Sequence, residues 1–289
     1  MKAVCNKFLL IISIFILFSP LIHKAQDQSP INFGIHPSLG VTYTNSSETS
    51  SEVENLQWLL NLQSNLNYTS ENFQFDSDLT ILYGQTVAAR QNPQKTQDDF
   101  LLNLIPSIRL MQSPTIRLFW QTKVETQMKQ GILNNQQTGF LDPAFLTHTL
   151  FVGNKNQFIT QTQEQNFQIT YGIGYSFQQI IKKHFQLSNE SQPSSNVDYI
   201  QGPTAVFNLT FTKQIKDGIC ANVSLSSLLL AKKDFLKSTS NSRFSSMLTS
   251  GIDFGILSIQ YTNRLVYDKE LSNRRQLDQT LVLGVKFSI

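Results

Sequence analysis

The chain is poor in cysteine, histidine and charge: it has two Cys and four His in 289 residues, and Asp, Glu, Lys and Arg together make up 15%. Cys5 lies in a leader-like segment, so Cys220 stands alone in the remainder and no intramolecular disulfide is possible there. Outside that segment the histidines are His36, His148 and His184. No two of them share metal-ligand spacing, so neither a metal nor another cofactor is expected. Beyond the leader no apolar run approaches the roughly 20 residues that a membrane-crossing helix needs, which excludes an ordinary helical membrane protein. It does not exclude a barrel, whose strands carry a much weaker signal per segment.

The leader has the layout of an export signal. Lys2 and Lys7 precede an unbroken apolar run from Phe8 to Phe18, followed by Ser19 and Pro20. The run is 11 residues long, too short to span as a helix. A cut after Ala25 releases a chain beginning QDQSP, although His23 is larger than the usual small residue at its position before the cut. Cys5 precedes the apolar run, which does not fit a lipoprotein anchor. The expected organisation is a cleaved signal over 1–25 and one domain over 26–289. Removing the leader takes away three lysines and leaves 20 basic against 20 acidic residues, so nothing points to nucleic acid as a partner.

What the remainder does contain is alternation. In INFGIHPSLGVTYT, the odd positions Ile31, Phe33, Ile35, Pro37, Leu39, Val41 and Tyr43 are apolar, and the even ones are small or polar. Successive side chains of a strand point to opposite faces, so this stretch reads as a strand with unlike faces. Twelve such stretches of about 10 to 14 residues can be marked, and helical periodicity does not compete in most of them. One places Ile116, Leu118, Trp120, Val124 and Met128 against Arg117, Gln121, Lys123, Glu125 and Gln127; another alternates from Phe167 to Phe177 without a break. The stretch near 143–153 alternates poorly.

Connection lengths alternate too. Long polar segments follow the odd strands, among them NSSETSSEVEN, QTVAARQNPQKTQDD, KQGILNNQQTGFLDP and DKELSNRRQ. Tight turns follow the even ones: TSE near 70, QSPT at 112–115, KDG at 216–218 and a turn at Gly255. NKNQFITQTQEQ breaks the rule. An even strand number with long loops on one side and short turns on the other marks an outer-membrane barrel with both termini in the periplasm.

A soluble sandwich with the same apolar faces turned inward is the competing architecture. It leaves the scarcity of charge unexplained, since soluble surfaces usually carry about 25–35% charged residues. Aromatics also gather at strand ends, with Tyr43, Trp58, Tyr83 and Phe100 at one set and Tyr68 and Phe73 at the other, as in interfacial girdles. The expected fold is therefore all-β, an antiparallel up-and-down transmembrane β-barrel of about 12 strands, exported to the bacterial outer membrane and bounded by its lipid.

These features resemble the outer-membrane β-barrel proteins of Gram-negative bacteria. WQTKVETQMKQG followed by GFLDPAFLTHTLFVGNK is similar to the middle signature of an uncharacterised barrel family, a domain of unknown function. The matching residues are Thr126, Gln127, Gly131 and Phe140 through Leu146. AVFNLTFTKQIKDGICANVSLSSLLL resembles that family's paired late strands, and the resemblance brings no catalytic residues. VLGVKFSI is similar to the terminal signal read by the barrel-assembly machinery. It departs from the commonest form in placing its aromatic at Phe287 and ending on Ile289.

In such a barrel Asp76, Asp78, Arg109, Arg117, Lys123, Glu125, Arg243, Asp253, Arg264, Asp278 and Lys286 occupy the lumen-facing parity, where charges tune permeation, hold a plug or pair with one another. Their mixed signs argue against a strongly ion-selective pore. Function then reads first as a channel or transporter for a small solute. The alternatives are a barrel acting structurally or through its surface loops, and a membrane hydrolase. For hydrolysis, His36 and Ser38 lie two apart on one face. The His-x-Ser-Asn-Gly pattern of outer-membrane phospholipases is absent, however, because Leu39 and Gly40 follow Ser38, so no enzyme is expected.

Overall fold

The computed structural model describes residues 31–48, 51–88, 94–110, 115–129, 131–133, 136–159, 165–182, 197–232, 242–267 and 276–286. The expected signal segment, Phe287 and Ile289 lie outside them. The described residues form β1 (Ile31–Glu48), β2 (Ser51–Thr69), β3 (Phe73–Ala88), β4 (Gln94–Arg109) and β5 (Ile116–Thr126), then the short β6 (Gly131–Leu133) and β7 (Gln136–Thr138). They continue with β8 (Ala144–Ile159), β9 (Gln165–Ile181), β10 (Val197–Lys216), β11 (Ile219–Ala231), β12 (Ser242–Phe254), β13 (Leu257–Tyr267) and β14 (Gln276–Lys286). Twelve of these close into an antiparallel ring in chain order, β14 returning to β1, while β6 and β7 form a separate hairpin between β5 and β8.

The parity reading of the faces decides which medium each one meets. On β9, Tyr171, Ile173 and Tyr175 point outward, Ile173 being 75% exposed, while Thr170, Ser176 and Gln178 between and beside them are buried in the interior. The same sense holds on β5, β8 and β14, where Trp120, Leu150, Val152, Leu281 and Leu283 are exposed. A continuous apolar belt of this size is a lipid-facing surface rather than a solvated one. Aromatic pairs edge the belt: Trp58 against Tyr83 at 5.5 Å near the long connections, and Tyr68 against Phe73 at 6.0 Å near the short turns. The Tyr43 side chain is not among those described.

Three expectations about connections are corrected. NSSETSSEVEN is mostly strand, for β1 and β2 stay in register out to Glu48 and Ser51. QTVAARQNPQKTQDD is mostly strand too, since β3 runs to Ala88 and β4 starts at Gln94. The apparent exception after the weakest stretch also disappears, because β8 and β9 pair as far as Ile159 and Asn166, leaving only 160–164 between them. In these hairpins largely polar sequence continues the ladder past the apolar belt. Backbone pairing does not depend on which medium surrounds the side chains, so polarity alone marks the belt's edge rather than the strand's end. At the short-turn end Gly218 and Gly255 adopt φ of 77° and 60°, and Gly255 N–H donates to the Gly218 carbonyl at 2.7 Å, tying two neighbouring turns together.

Inside the wall, β8 and β9 meet through glycine. A side chain at Gly172 would start 2.6 Å from Phe151 Cδ2, and one at Gly174 would strike the Leu150 carbonyl and the Phe151 backbone. Phe151 lies flat over this bare patch and stacks on Phe119 at 4.5 Å with planes 5° apart. Glycine at these inward positions is thus what lets a phenyl ring lie against the barrel wall.

Candidate functional site

Around the ring β5 and β13 are diametrically opposed, with five strands between them in either direction. Twelve strands spaced about 4.8 Å apart and tilted about 40° around a circle would hold opposite walls roughly 24 Å apart. Yet Glu125 Oε1 on β5 accepts from Arg264 Nη2 on β13 at 3.1 Å. Fully extended Glu and Arg side chains joined by such a contact reach only about 15 Å. The barrel is therefore flattened at this level, and its lumen is crossed by side chains.

Glu125 is the hub of that crossing. It is 5% exposed and also meets Lys123 Nζ at 3.1 Å and Arg243 Nη2 of β12 at 3.7 Å. Arg264 Nη1 reaches on to Asp99 Oδ1 of β4 at 3.6 Å. Arg243 donates to Gln178 Oε1 at 2.7 Å, Gln178 donates to Thr147 Oγ1 at 2.6 Å, and the Arg243 guanidinium lies 4.9 Å from the Phe145 ring centre. Six strands are thus joined near the long-connection end. Burial of so many charges is tolerable because each has an opposite charge or a hydrogen-bond partner. Beside the crossing, Gln121, Asn208, Ser226, Met247 and Lys123 line a small cavity.

Apolar side chains also enter the interior. Phe119, Phe151 and Val206, with Ile105 against them, form one interior cluster. Ile180, Ile200 and Leu230, with Phe145 and Leu228, form another. Sequence reasoning took the inward parity as polar and missed these residues. The available signal was the placing of Phe119 between Arg117 and Gln121, and of Phe151 between Thr149 and Gly153, on the otherwise hydrophilic face.

Of the other charges expected in the lumen, Asp76 pairs across the interior with Lys155 of β8 at 2.7 Å, and Arg117 is 2% exposed beside Ser107. Asp78 stands in register with Asn103 and Arg109 with Arg117. Asp253 accepts from Ser258 Oγ at 2.7 Å at the short-turn end. The backbones of Asp278 and Lys286 pair with Arg264 and Ser38; their side chains are not among those described. The charges thus divide into a bridging group around Glu125 and a second group at the opposite mouth. His36 and Ser38 share the inward face, and Ser38 Oγ donates to the Asn61 carbonyl at 3.4 Å. His148 lies on the outward parity, its Nδ1 3.1 Å from Thr122 Oγ1.

Twelve antiparallel up-and-down strands closed into a ring with the apolar face outward define a transmembrane β-barrel. Residues 43–132 match a family described as protein of unknown function (DUF3078). That segment includes Thr126, Gln127 and Gly131 and stops short of Phe140–Leu146. No curated protein matches the chain. Among solved structures, the beta domain of the Bordetella autotransporter Brka is similar at 9% identity over 90% of this chain and 99% of its own, with a TM-score of 0.36. The Acinetobacter baumannii outer membrane channel DcaP is similar at 7% identity over 90% and 97%, with a TM-score of 0.27. Salmonella typhi OmpF in complex with daunomycin gives 7% identity over 90% and 97%, with a TM-score of 0.26.

Proposed function

We propose that this chain is an outer-membrane β-barrel that stands closed and works as a structural or surface-interaction protein through its long connections, not as a constitutively open channel. The outward apolar belt, the hairpin asymmetry and the leader support placement in the bacterial outer membrane. The short turns and both termini are then periplasmic, and the barrel-assembly machinery is the inserting partner. The single observation that carries the closed state is the Glu125–Arg264 contact between opposite walls. An open small-solute channel needs a continuous aqueous path, and here the path meets buried Phe119, Phe151 and the charged bridge. Reconstitution of the folded barrel in planar bilayers tests the reading: the expected result is no steady conductance above that of the lipid, and a persistent conductance or liposome swelling with small sugars overturns it.

A gated channel is the second reading. It is favoured by the ionic nature of the bridge and by the polar cavity lined by Gln121, Asn208 and Ser226 beside it. Its solute would be small and polar. Intermittent openings that are lost when Glu125 and Arg264 are cross-linked would select it.

A further inference from the structure

The periplasmic mouth holds a pair of like-charged arginines; Asp76 is within electrostatic reach of Arg117, but its carboxylate is bonded to Lys155. Arg109 on β4 and Arg117 on β5 are directly opposite each other in the antiparallel register, both on the inward face. Opposed residues place their Cβ atoms about 5 Å apart, and like charges in that position destabilise the pair. Arg117 is 2% exposed, and its Nε and Nη2 are used on Ser107 Oγ (3.0 Å) and the carbonyls of Asn72 and Ser107 (3.3 Å each), all neutral oxygens. Its Nη1 is left to donate further. On Arg109 the Nε is buried with no acceptor. Asp76, the nearest inward carboxylate on β3 in this register, is held by Lys155 at 2.7 Å, while Asp78 lies two residues deeper opposite Asn103. The connection between the two arginines' strands contains Met111, Gln112, Ser113 and Pro114, none of them acidic.

We propose that Arg109 and Arg117 form a binding site for a small tetrahedral oxyanion of the phosphate or sulfate class, entered from the periplasmic side of the lumen. Arg117 Nη1 and the guanidinium of Arg109, on the same inward face of neighbouring strands, offer donors to the several acceptor oxygens of such an anion, and an anion between them turns their repulsion into charge-assisted contacts. Because both side chains share the inward face, a free anion reaches them while a lipid headgroup outside the wall does not. The inference does not depend on whether the barrel conducts.

The full-length barrel, folded in detergent micelles and in liposomes, is titrated with inorganic phosphate and with sulfate in chloride buffer. The expected result is saturable binding and a rise in the unfolding midpoint with anion concentration. Arg109→Gln should weaken binding at least tenfold, yet in anion-free buffer it should unfold no earlier than the native protein, since it removes one of two repelling charges. Arg109→Lys keeps the charge and loses the fork, so it should bind with intermediate affinity; it carries the test if the glutamine variant fails to fold. Absence of saturable binding by the native barrel, or binding by both variants as tight as native, overturns the proposal. Binding that instead requires phosphorylated lipid in the liposomes overturns the free-anion source.

Discussion

Replacing Glu125 by alanine removes a carboxylate that touches Lys123, Arg243 and Arg264 together. Arg243 is 3% exposed, so it cannot turn to water without breaking its bond to Gln178. Taking one partner from a buried ion pair typically costs about 3–5 kcal/mol because the remaining charge is left uncompensated. Here Gln178, Phe145 and Asp99 soften that loss, so about 3 kcal/mol is expected. Arg264→Ala should cost less, about 1–2 kcal/mol, because Glu125 keeps Lys123 at 3.1 Å and Arg264 is itself partly solvated. Urea unfolding of the barrel in liposomes, followed by tryptophan fluorescence, measures both. If Glu125→Ala unfolds within 1 kcal/mol of native, the bridge does not hold the walls together.

Ile173→Arg puts a charge at one of the most exposed outward positions; it should destabilise the barrel in bilayers by about 2–4 kcal/mol if that site lies near the midplane, and an unchanged stability in liposomes would count against a lipid-facing belt. Gly174→Ala should cost about 1–3 kcal/mol by pushing on Leu150 and Phe151, whereas Gly139→Ala, with no atom within 4 Å, should be near neutral in the same urea titration. Phe119→Ala removes the stacked ring over Phe151 and should cost about 3–5 kcal/mol, less if the flattened walls collapse into the space. Asn61→Ala deletes the 2.6 Å bond from β2 to Gln260 of β13, which spans the β1–β14 closure, and should lower stability by about 1 kcal/mol.

Much of the architecture was legible without coordinates because a β-barrel writes itself locally. Side-chain direction along a strand depends only on parity, so Ile169, Ile173 and Phe177 could be assigned to one face from sequence alone. Twelve strands, the tight turns at Gly218 and Gly255 and the two aromatic edges follow from the same short-range rules. Strand ends were misjudged where polar ladders outrun the membrane, as in β1–β2 and β8–β9. The partners of the lumen charges could not be read the same way, since Glu125 and Arg264 are 139 residues apart and no periodicity links them.

The sequence by itself thus determined the two-faced strands and their up-and-down order, because hydrophobic alternation and turn chemistry act over a few residues. Only the tertiary structure decided that the ring is flattened, that Glu125 spans it to Arg264, and that Phe119 and Phe151 sit inside a face otherwise polar. The cross-section of a closed ring depends on how opposite walls meet. That meeting joins residues distant in the chain and leaves no mark on any one strand.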